Sequence, residues 1–478
     1  MREMTQQTKI QHLFWRAGFG ATPQDVQAAS KKSIGQLVGQ LVRDAQQFQP
    51  LEHETAGEPG YNRKALRDMV SRRDQMPTAE KREMLKDLIK ENRGKIGDLN
   101  YQWLTRMGAG ESALREKMTL FWHGHFACRV LNPAFVQQQN NVLRQHALGK
   151  FGDLLLAVSR DPAMLQFLNN QQNKKQSPNE NFAREVMELF TLGRSNYTER
   201  DIKEAARAFT GWGFNPLTGE AVFWQIHHDE GVKTVFGKTG NFKGEDILKL
   251  ILDRPETSRF LVTKIYRYFV NDTPHESHVR DLAQRFHRTD YDITDLMRTI
   301  FTADWFYEPR NVGVKIKSPV ELLAGLQRSF GVEYGGKQSV LVIQKALDQV
   351  LFYPPNVAGW PGGRAWIDSS SLLLRMKLPE IILRGAQLNF KAKEDGDVNT
   401  EHLSQKDGKI MNASVDWPAF ETAFNGLRGQ ALLDALSGYL LQHPLAPAQR
   451  DLILKKANEN PVRDMALAIM TLPEYQLC

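Results

Sequence analysis

The sequence predicts a mainly α-helical globular protein of many helices, with a small β-hairpin or meander inserted near residues 213–240. Apolar residues recur at spacings of three and four along most of the chain, which is the period of an amphipathic helix. That period is lost between residues 212 and 243, where β-type runs and turn signals replace it. After a polar stretch, the helical period returns from about residue 419.

Six segments carry the clearest helical period. In each of them the apolar residues would form one face that packs against neighbouring helices. The segments are "EKMTLFWHGHF" (116–126), "FGDLLLAVS" (151–159), "FAREVMELFTLG" (182–193), "DIKEAARAFTGW" (201–212), "SRFLVTKIYRYFV" (258–270) and "PVELLAGLQRSF" (319–330).

The β insertion is predicted from its turns. The segment contains two turn signals, "LTGE" (217–220) and "DEGV" (229–232). Short runs of β-type residues, "AVFWQI" (221–226) and "KTVFG" (233–237), flank the second turn. This pattern is typical of a hairpin.

Domain boundaries are predicted from composition. Residues 1–390 are expected to form the main helical domain, with the β insertion inside it. Residues 391–418 are polar and lack periodicity, which indicates a linker or long loop. Residues 419–478 are predicted to form a C-terminal helical unit packed on the main domain.

Composition and charge distribution limit the partners and the location that we expect for the protein. The chain has 62 Lys and Arg against 55 Asp and Glu, and the charges interleave, so no nucleic-acid partner is expected. No apolar run is long enough for a transmembrane segment. The segment "MREMTQQTKIQHLFW" lacks the apolar stretch of a signal peptide, which favours a cytoplasmic location. The two cysteines, Cys128 and Cys478, stand outside any CxxC pattern; whether they pair is left open.

The stretch "SPNE" (177–180) predicts a capping box at a helix start. Ser177 would accept from a free N–H of the first turn, and Glu180 would reach back to the cap. The same capping pattern, a Ser or Thr followed three residues later by Glu or Asp, occurs at "TPQD" (22–25), "TERD" (198–201) and "SPVE" (318–321). A structural role is therefore favoured for Glu180 and Glu321.

Catalytic candidates follow in the same helix. At 100° per residue, Asn181, Arg184, Glu185 and Glu188 fall opposite the apolar face. They would form either an exposed, salt-bridged face or a functional site. Arg184, Glu185 and Glu188 are kept as catalytic candidates, with both interpretations open.

Metal-ligand candidates lie in two histidine motifs. His123 and His125 would point to one side on an extended segment and could chelate a metal. On a helix they lie about 200° apart and cannot share an ion; Gly124 between them is consistent with a helix end. His228 and Asp229, at the predicted hairpin tip, could be a ligand pair, or a base with its orienting carboxylate. Turn formation alone also explains Asp at that position.

A proline- and glycine-rich loop supplies the last candidate. "LFYPPNVAGWPGGRAWIDSSSLLLRM" (351–376) has no helical pattern before residue 368, and Trp360 and Trp366 bracket Arg364. Arg364 could hold an anion at the wall of a pocket, or the loop could be a buried connection whose aromatic side chains fill the core. Nucleotide-binding and serine-hydrolase motifs are absent from the sequence.

The sequence resembles members of a bacterial family, domain of unknown function 1800, in the order of these motifs. The most specific blocks are "SPNENFAREVMELFTLG" and "PPNVAGWPGGRAWI". The resemblance implies a predominantly helical fold and no known active site. It also implies a partner, since members often accompany a sulfatase-like family, domain of unknown function 1501. Many members are exported, so the resemblance gives an exported or periplasmic location as the alternative to a cytoplasmic one.

Two function classes remain. The first is a metal-assisted hydrolase or other enzyme whose polar pocket unites the HxH, PNENxARE and HD segments. A divalent ion held by some of the histidines, Asp229 and Glu185 would activate water, and Arg184 or Arg364 would stabilise negative charge. The second is a non-catalytic scaffold or partner of the sulfatase-like protein.

Overall fold

The computed structural model describes residues 4–52, 78–216, 218–384 and 413–478. These residues form 21 α-helices and three two-stranded sheets, so the predicted mainly α fold class is confirmed. The first eight helices are α1 Gln6–Ala17, α2 Pro23–Ala29, α3 Ile34–Asp44, α4 Thr78–Ala109, α5 Ala113–His125, α6 Pro133–His146, α7 Phe151–Ser159 and α8 Pro162–Phe167.

The middle of the chain contains the predicted β insertion. It consists of two separate antiparallel hairpins within residues 212–240, one with Gly213 opposite Val222 and one with Thr234 opposite Thr239. The strands Ala221–Phe223 and Lys233–Val235, which flank the predicted turn "DEGV", each pair with another strand and not with each other, so the hairpin predicted around that turn is wrong. His228 and Asp229 therefore lie between the two hairpins and not at a hairpin tip. The elements in order are α9 Asn181–Glu185, a π-helix Val186–Thr191, α10 Glu199–Ala208, β1 Trp212–Phe214, β2 Ala221–Phe223, β3 Lys233–Val235 and β4 Lys238–Gly240.

The remaining helices follow the β insertion along the chain and continue into the C-terminal segment. They are α11 Gly244–Leu252, α12 Pro255–Phe269, α13 Glu276–Arg288, α14 Ile293–Thr302, α15 Pro319–Phe330, α16 Lys337–Ala346, α17 Ser369–Arg384, α18 Trp417–Thr422, α19 Gly429–Leu440, α20 Pro447–Lys456 and α21 Pro461–Met470. Strands β5 Glu333–Tyr334 and β6 Ala413–Ser414 pair antiparallel.

Helix starts follow the capping signals at three of the four predicted positions. Reciprocal capping bonds form at Thr22, Thr198 and Ser318. The prediction for Ser177 is wrong, because the chain makes a turn there in which Ser177 N–H donates to Lys174 O. Helix α9 begins only at Asn181, whose N–H donates to the side chain of Asn179 instead.

The predicted linker lies mostly outside the described residues, since residues 391–412 are not described. Its last part is structured, because β6 pairs with β5 and α18 begins at Trp417. Helix α19 contacts α1, and α21 contacts α17. Buried side chains from Ile10 to Tyr475 belong to one continuous hydrophobic core. The C-terminal helices therefore share the core of the rest, while the division into domains stays a prediction.

Both cysteines are buried free thiols, and Cys128 belongs to this core. Within the described ranges, no helix combines the length and apolar character needed to cross a bilayer.

Candidate functional site

His123 and His125 occupy the last turn of α5. Because both are helical, their side chains diverge around the helix axis. The His123 ring packs edge-on against Trp103 and Phe352, with centroids 5.2 and 5.3 Å away. Its Nε2 accepts the Phe352 N–H at 3.1 Å. Burial lowers the pKa of His123 to about 3, so the ring is neutral at pH 7. The lone pair that a metal would need is therefore already in use.

His125 supports the neighbouring π-helix. Its Nε2 lies 3.1 Å from Phe190 O, so this nitrogen carries the proton and donates. Burial, and then the charge of Lys264, lower the pKa of His125. Lys264 Nζ donates to the adjacent Leu189 O at 3.3 Å. Two π-helix carbonyls are thus bound by side chains from α5 and α12.

This π-helix distinguishes the signature segment from an ordinary helix. It runs from Val186 to Thr191, and Thr191 Oγ1 donates to Val186 O at 2.6 Å. π-Helices are rare and occur frequently at functional sites. Its wider turn changes where Glu188 projects relative to the residues of α9.

Arg184 and Glu188 are already paired with protein groups. Arg184 donates to both carboxylate oxygens of Glu199, at 2.8 and 2.7 Å, and to Glu180 at 3.3 Å. Glu188 accepts from Tyr197 OH at 2.8 Å and from Arg194 Nε at 2.6 Å, and these bonds lower its pKa. Both side chains therefore match the salt-bridged interpretation of this helix face.

Glu185 is different from its neighbours. Its side chain is half-buried and forms neither a hydrogen bond nor an ion pair with the part of the chain that the structure describes. Burial, and then the nearby charge of Glu188, raise its pKa, while Arg184 opposes that rise. Of the three catalytic candidates in this segment, Glu185 alone keeps a carboxylate that is not engaged by a described residue.

His228 and Asp229 fix the loop that follows β2. The Asp229 carboxylate is held by two bonds from Arg207, Nε to Oδ2 at 2.7 Å and Nη2 to Oδ1 at 3.1 Å, and hydrogen bonding by Arg207 is the main cause of its lowered pKa. His228 is 1% exposed, and its Nδ1 lies 2.9 Å from Thr210 O. Asp229 thus holds the loop against α10, and His228 holds it against the residues that follow this helix.

The predicted rigid loop closes on α5 through its aromatic residues. Trp360 packs on His123 with ring centroids 5.5 Å apart, and Trp366 is buried. Gly359 has φ +79°, and a Cβ there would lie 2.2 Å from Gly124 O, so only glycine permits this approach. Arg364 is exposed in the short 3₁₀ turn Gly363–Trp366. An anion-binding role for Arg364 stays a prediction.

The three predicted histidine ligands form hydrogen bonds with different segments of the chain. His123 contacts the loop around Phe352, His125 contacts the π-helix, and His228 contacts Thr210. Among the described ranges, no three His, Cys, Asp or Glu side chains come close enough to hold one metal ion. The four predicted metal ligands thus do not form one described site, and metal binding stays a prediction.

Comparison with known proteins identifies the family. Residues 12–477 match a family described as a protein of unknown function, DUF1800. The chain belongs to the DUF1800 family. No curated protein and no solved structure is significantly similar to this DUF1800 protein.

Sequence reasoning missed the exposed apolar residues of this DUF1800 protein. Ile226 is 72% exposed, Val232 is 64% exposed and Trp224 is 37% exposed. They lie in the same segment as His228 and Asp229, which were predicted as metal ligands. The apolar residues of this segment are visible in the sequence, but their spacing fits a half-buried strand as well as an exposed loop.

Proposed function

We propose that this DUF1800 protein binds a partner protein through residues 224–232, named here the docking loop. The observation that carries the proposal is that the loop exposes Trp224, Ile226 and Val232 while its backbone is fastened to the helical body. Exposed apolar groups on a fixed framework are typical of protein-binding surfaces.

The fastening involves side chains on both sides of the loop. Arg207 of α10 holds Asp229 and also donates to Val232 O at 3.2 Å. Lys233 donates to Gly231 O at 2.9 Å. The loop also bonds to a neighbouring segment, since Lys175 N–H donates to His227 O at 2.9 Å. A loop that is ordered before binding loses less conformational entropy when the partner arrives.

The backbone beneath the loop requires glycine. Gly211 has φ +88°, and a Cβ on it would lie 2.9 Å from Trp224 O and 3.2 Å from His228 Cβ. Gly211 N–H donates to Asn173 O, and Trp224 N–H donates to Gly211 O. The first residue of the docking loop is thus seated directly on the residue that precedes β1.

The partner proposed is a sulfatase-like protein of the DUF1501 family, which members of this family often accompany. The apolar residues would supply affinity, because full burial of an aliphatic side chain is worth about 1.5–3 kcal/mol. Exposed Lys174, Lys175 and Glu230 would form a polar rim around them.

The test is a binding titration with the sulfatase-like protein from the same genome. The double variant Ile226→Lys, Val232→Glu is expected to bind at least about 10-fold more weakly, because each change places a charge where an apolar contact forms. Leu452→Lys is the matched control, since Leu452 is 55% exposed on α20, and it should bind like wild type. Unchanged affinity in the double variant, or no binding by wild type, would reject the proposal.

A second candidate is acid–base catalysis at Glu185. The supporting observation is the pair of carboxylates at Glu185 and Glu188, whose pKa values shift in opposite directions. A raised and a lowered carboxyl pKa at one site are typical of a general acid beside an ionised partner.

This candidate is tested with a panel of nitrophenyl esters, glycosides, phosphates and sulfates. Turnover by wild type that falls at least about 100-fold in Glu185→Gln would support it. Glu276→Gln, a change at an exposed glutamate of α13, should leave turnover intact. Equal loss in both variants, or no turnover on any substrate, would count against catalysis at Glu185.

A further inference from the structure

A polar cavity of about 260 Å³ opens where the end of α3, the end of α4 and the start of α5 meet. Its walls contain acidic, basic, amide, hydroxyl and glycine residues, and none of the described lining residues has an apolar side chain. The volume lies slightly below the range of about 300–1,000 Å³ that is typical of small-molecule pockets. The cavity therefore suits a small, hydrophilic ligand.

Two guanidinium groups line the cavity and are held in place by backbone carbonyls. Arg115 Nε donates to Ala45 O at 2.6 Å, and its Nη1 donates to Arg144 O at 2.5 Å. Arg106 Nη1 donates to Gln49 O at 2.8 Å, and its Nη2 donates to Pro50 O at 3.0 Å. These bonds orient the cations without cancelling their charge.

Arg106 keeps unused donors. A guanidinium has five N–H groups. The bonds to Gln49 O and Pro50 O use two of them, and the other three have no hydrogen-bond partner among the residues that the structure describes. Neither Arg106 nor Arg115 forms an ion pair with a carboxylate in the described ranges. Burial lowers the pKa of both groups, while the nearby carboxylates of Glu116 and, for Arg106, also of Glu111 and Glu52 oppose that change.

The acidic residues of the cavity differ in burial. Glu116 lies in the floor, 2% exposed, and both its oxygens are occupied by Arg144 and by Trp103 Nε1. Asp44 and Glu111 are exposed residues of the wall, together with Gln47 and Gln49. These carboxylates and amides are suitable partners for ligand hydroxyl groups.

We infer that this cavity binds a monosaccharide-sized polyol that carries one anionic group. The anionic group bonds to the free N–H groups of Arg106, because a guanidinium matches carboxylate, phosphate and sulfate geometry. The hydroxyl groups bond to the side chains of Gln47, Gln49 and Glu111. This site is separate from the docking loop and does not depend on partner binding.

Calorimetric titrations test the inference with defined probes: glucose 6-sulfate, glucose 6-phosphate, glucuronate, uncharged glucose, and inorganic sulfate and phosphate. At least one charged sugar is expected to bind about 10-fold or more tightly than glucose, and a sulfated or phosphorylated sugar about 10-fold or more tightly than inorganic sulfate or phosphate, respectively. Equal binding of glucose removes the anion requirement, and equal binding of the inorganic anion removes the sugar requirement. Either result, or no binding of any charged sugar, overturns the inference.

Variants then locate the site. Arg106→Gln is expected to lower the affinity for the charged sugar about 10-fold or more, since charged hydrogen bonds are lost. Arg106→Lys is expected to retain part of that affinity. Arg280→Gln, on the exposed surface of α13, is the control. Circular dichroism verifies folding, and unchanged binding in folded Arg106→Gln contradicts the assignment. The Ile226→Lys, Val232→Glu variant should bind the sugar normally, so failure of this inference is distinguishable from failure of the proposed function.

Discussion

Replacing Glu116 with glutamine is expected to lower the free energy of unfolding by about 3–5 kcal/mol. The side chain of Arg144 is 0% exposed, and it bonds to both Glu116 oxygens, at 2.8 and 3.1 Å. Trp103 Nε1 donates to the same carboxylate at 2.7 Å. The variant would leave a buried guanidinium without its counter-charge. Chemical denaturation followed by circular dichroism measures the loss.

Asp295→Asn is the matched control for Glu116→Gln. Arg285 also holds Asp295 by two bonds, both 2.7 Å long, but these side chains are 44% and 27% exposed. Solvent screens such a pair, so the expected loss is about 1 kcal/mol or less. Similar losses in the two variants would show that burial does not govern the energetics of the Glu116 pair.

Glu321→Gln is expected to be similarly destabilising, by about 3–5 kcal/mol. Glu321 forms an ion pair with Lys117, whose side chain is 2% exposed, and accepts the Ser318 N–H at 2.7 Å. Attraction by Lys117 holds the pKa of Glu321 below its usual value even though burial opposes this. The substitution preserves shape and removes the charge that compensates the buried ammonium.

The double variant Lys117→Met, Glu321→Gln separates charge from packing. Removing both charges is expected to recover a large part of the stability, because the loss arises from one unpaired buried charge. Denaturation of wild type, both single variants and the double variant gives the coupling energy. A double variant as unstable as the sum of the single variants would contradict this explanation.

Local sequence patterns predicted much of the fold but only part of the site. Capping boxes at Thr22, Thr198 and Ser318 were readable because their bonds join residues three apart. The same pattern begins at Ser177, but no capping box forms there, because Ser177 lies in a turn with Lys174 that precedes the helix. A pattern of residue types does not report which neighbouring segment competes for a hydrogen bond.

The roles of the chemistry-bearing residues depend on contacts between distant segments. Arg207 meets Asp229 across 22 positions, and His125 meets Phe190 O across 65. The apolar pattern of residues 182–193 predicts a helix but does not distinguish the π-helix at Val186–Thr191 from an α-helix. The exposure of Ile226 could not be predicted for the same reason, because the spacing of residues in a short segment does not fix its burial.

Hydrogen–deuterium exchange in the presence of the proposed sulfatase-like partner tests the central claim most directly, namely that His228 and Asp229 support a partner-binding loop. Slower exchange of amides within residues 224–232 on addition of the partner is the predicted result. A complex in which those amides exchange as fast as in the free protein, while protection is found elsewhere, would contradict it.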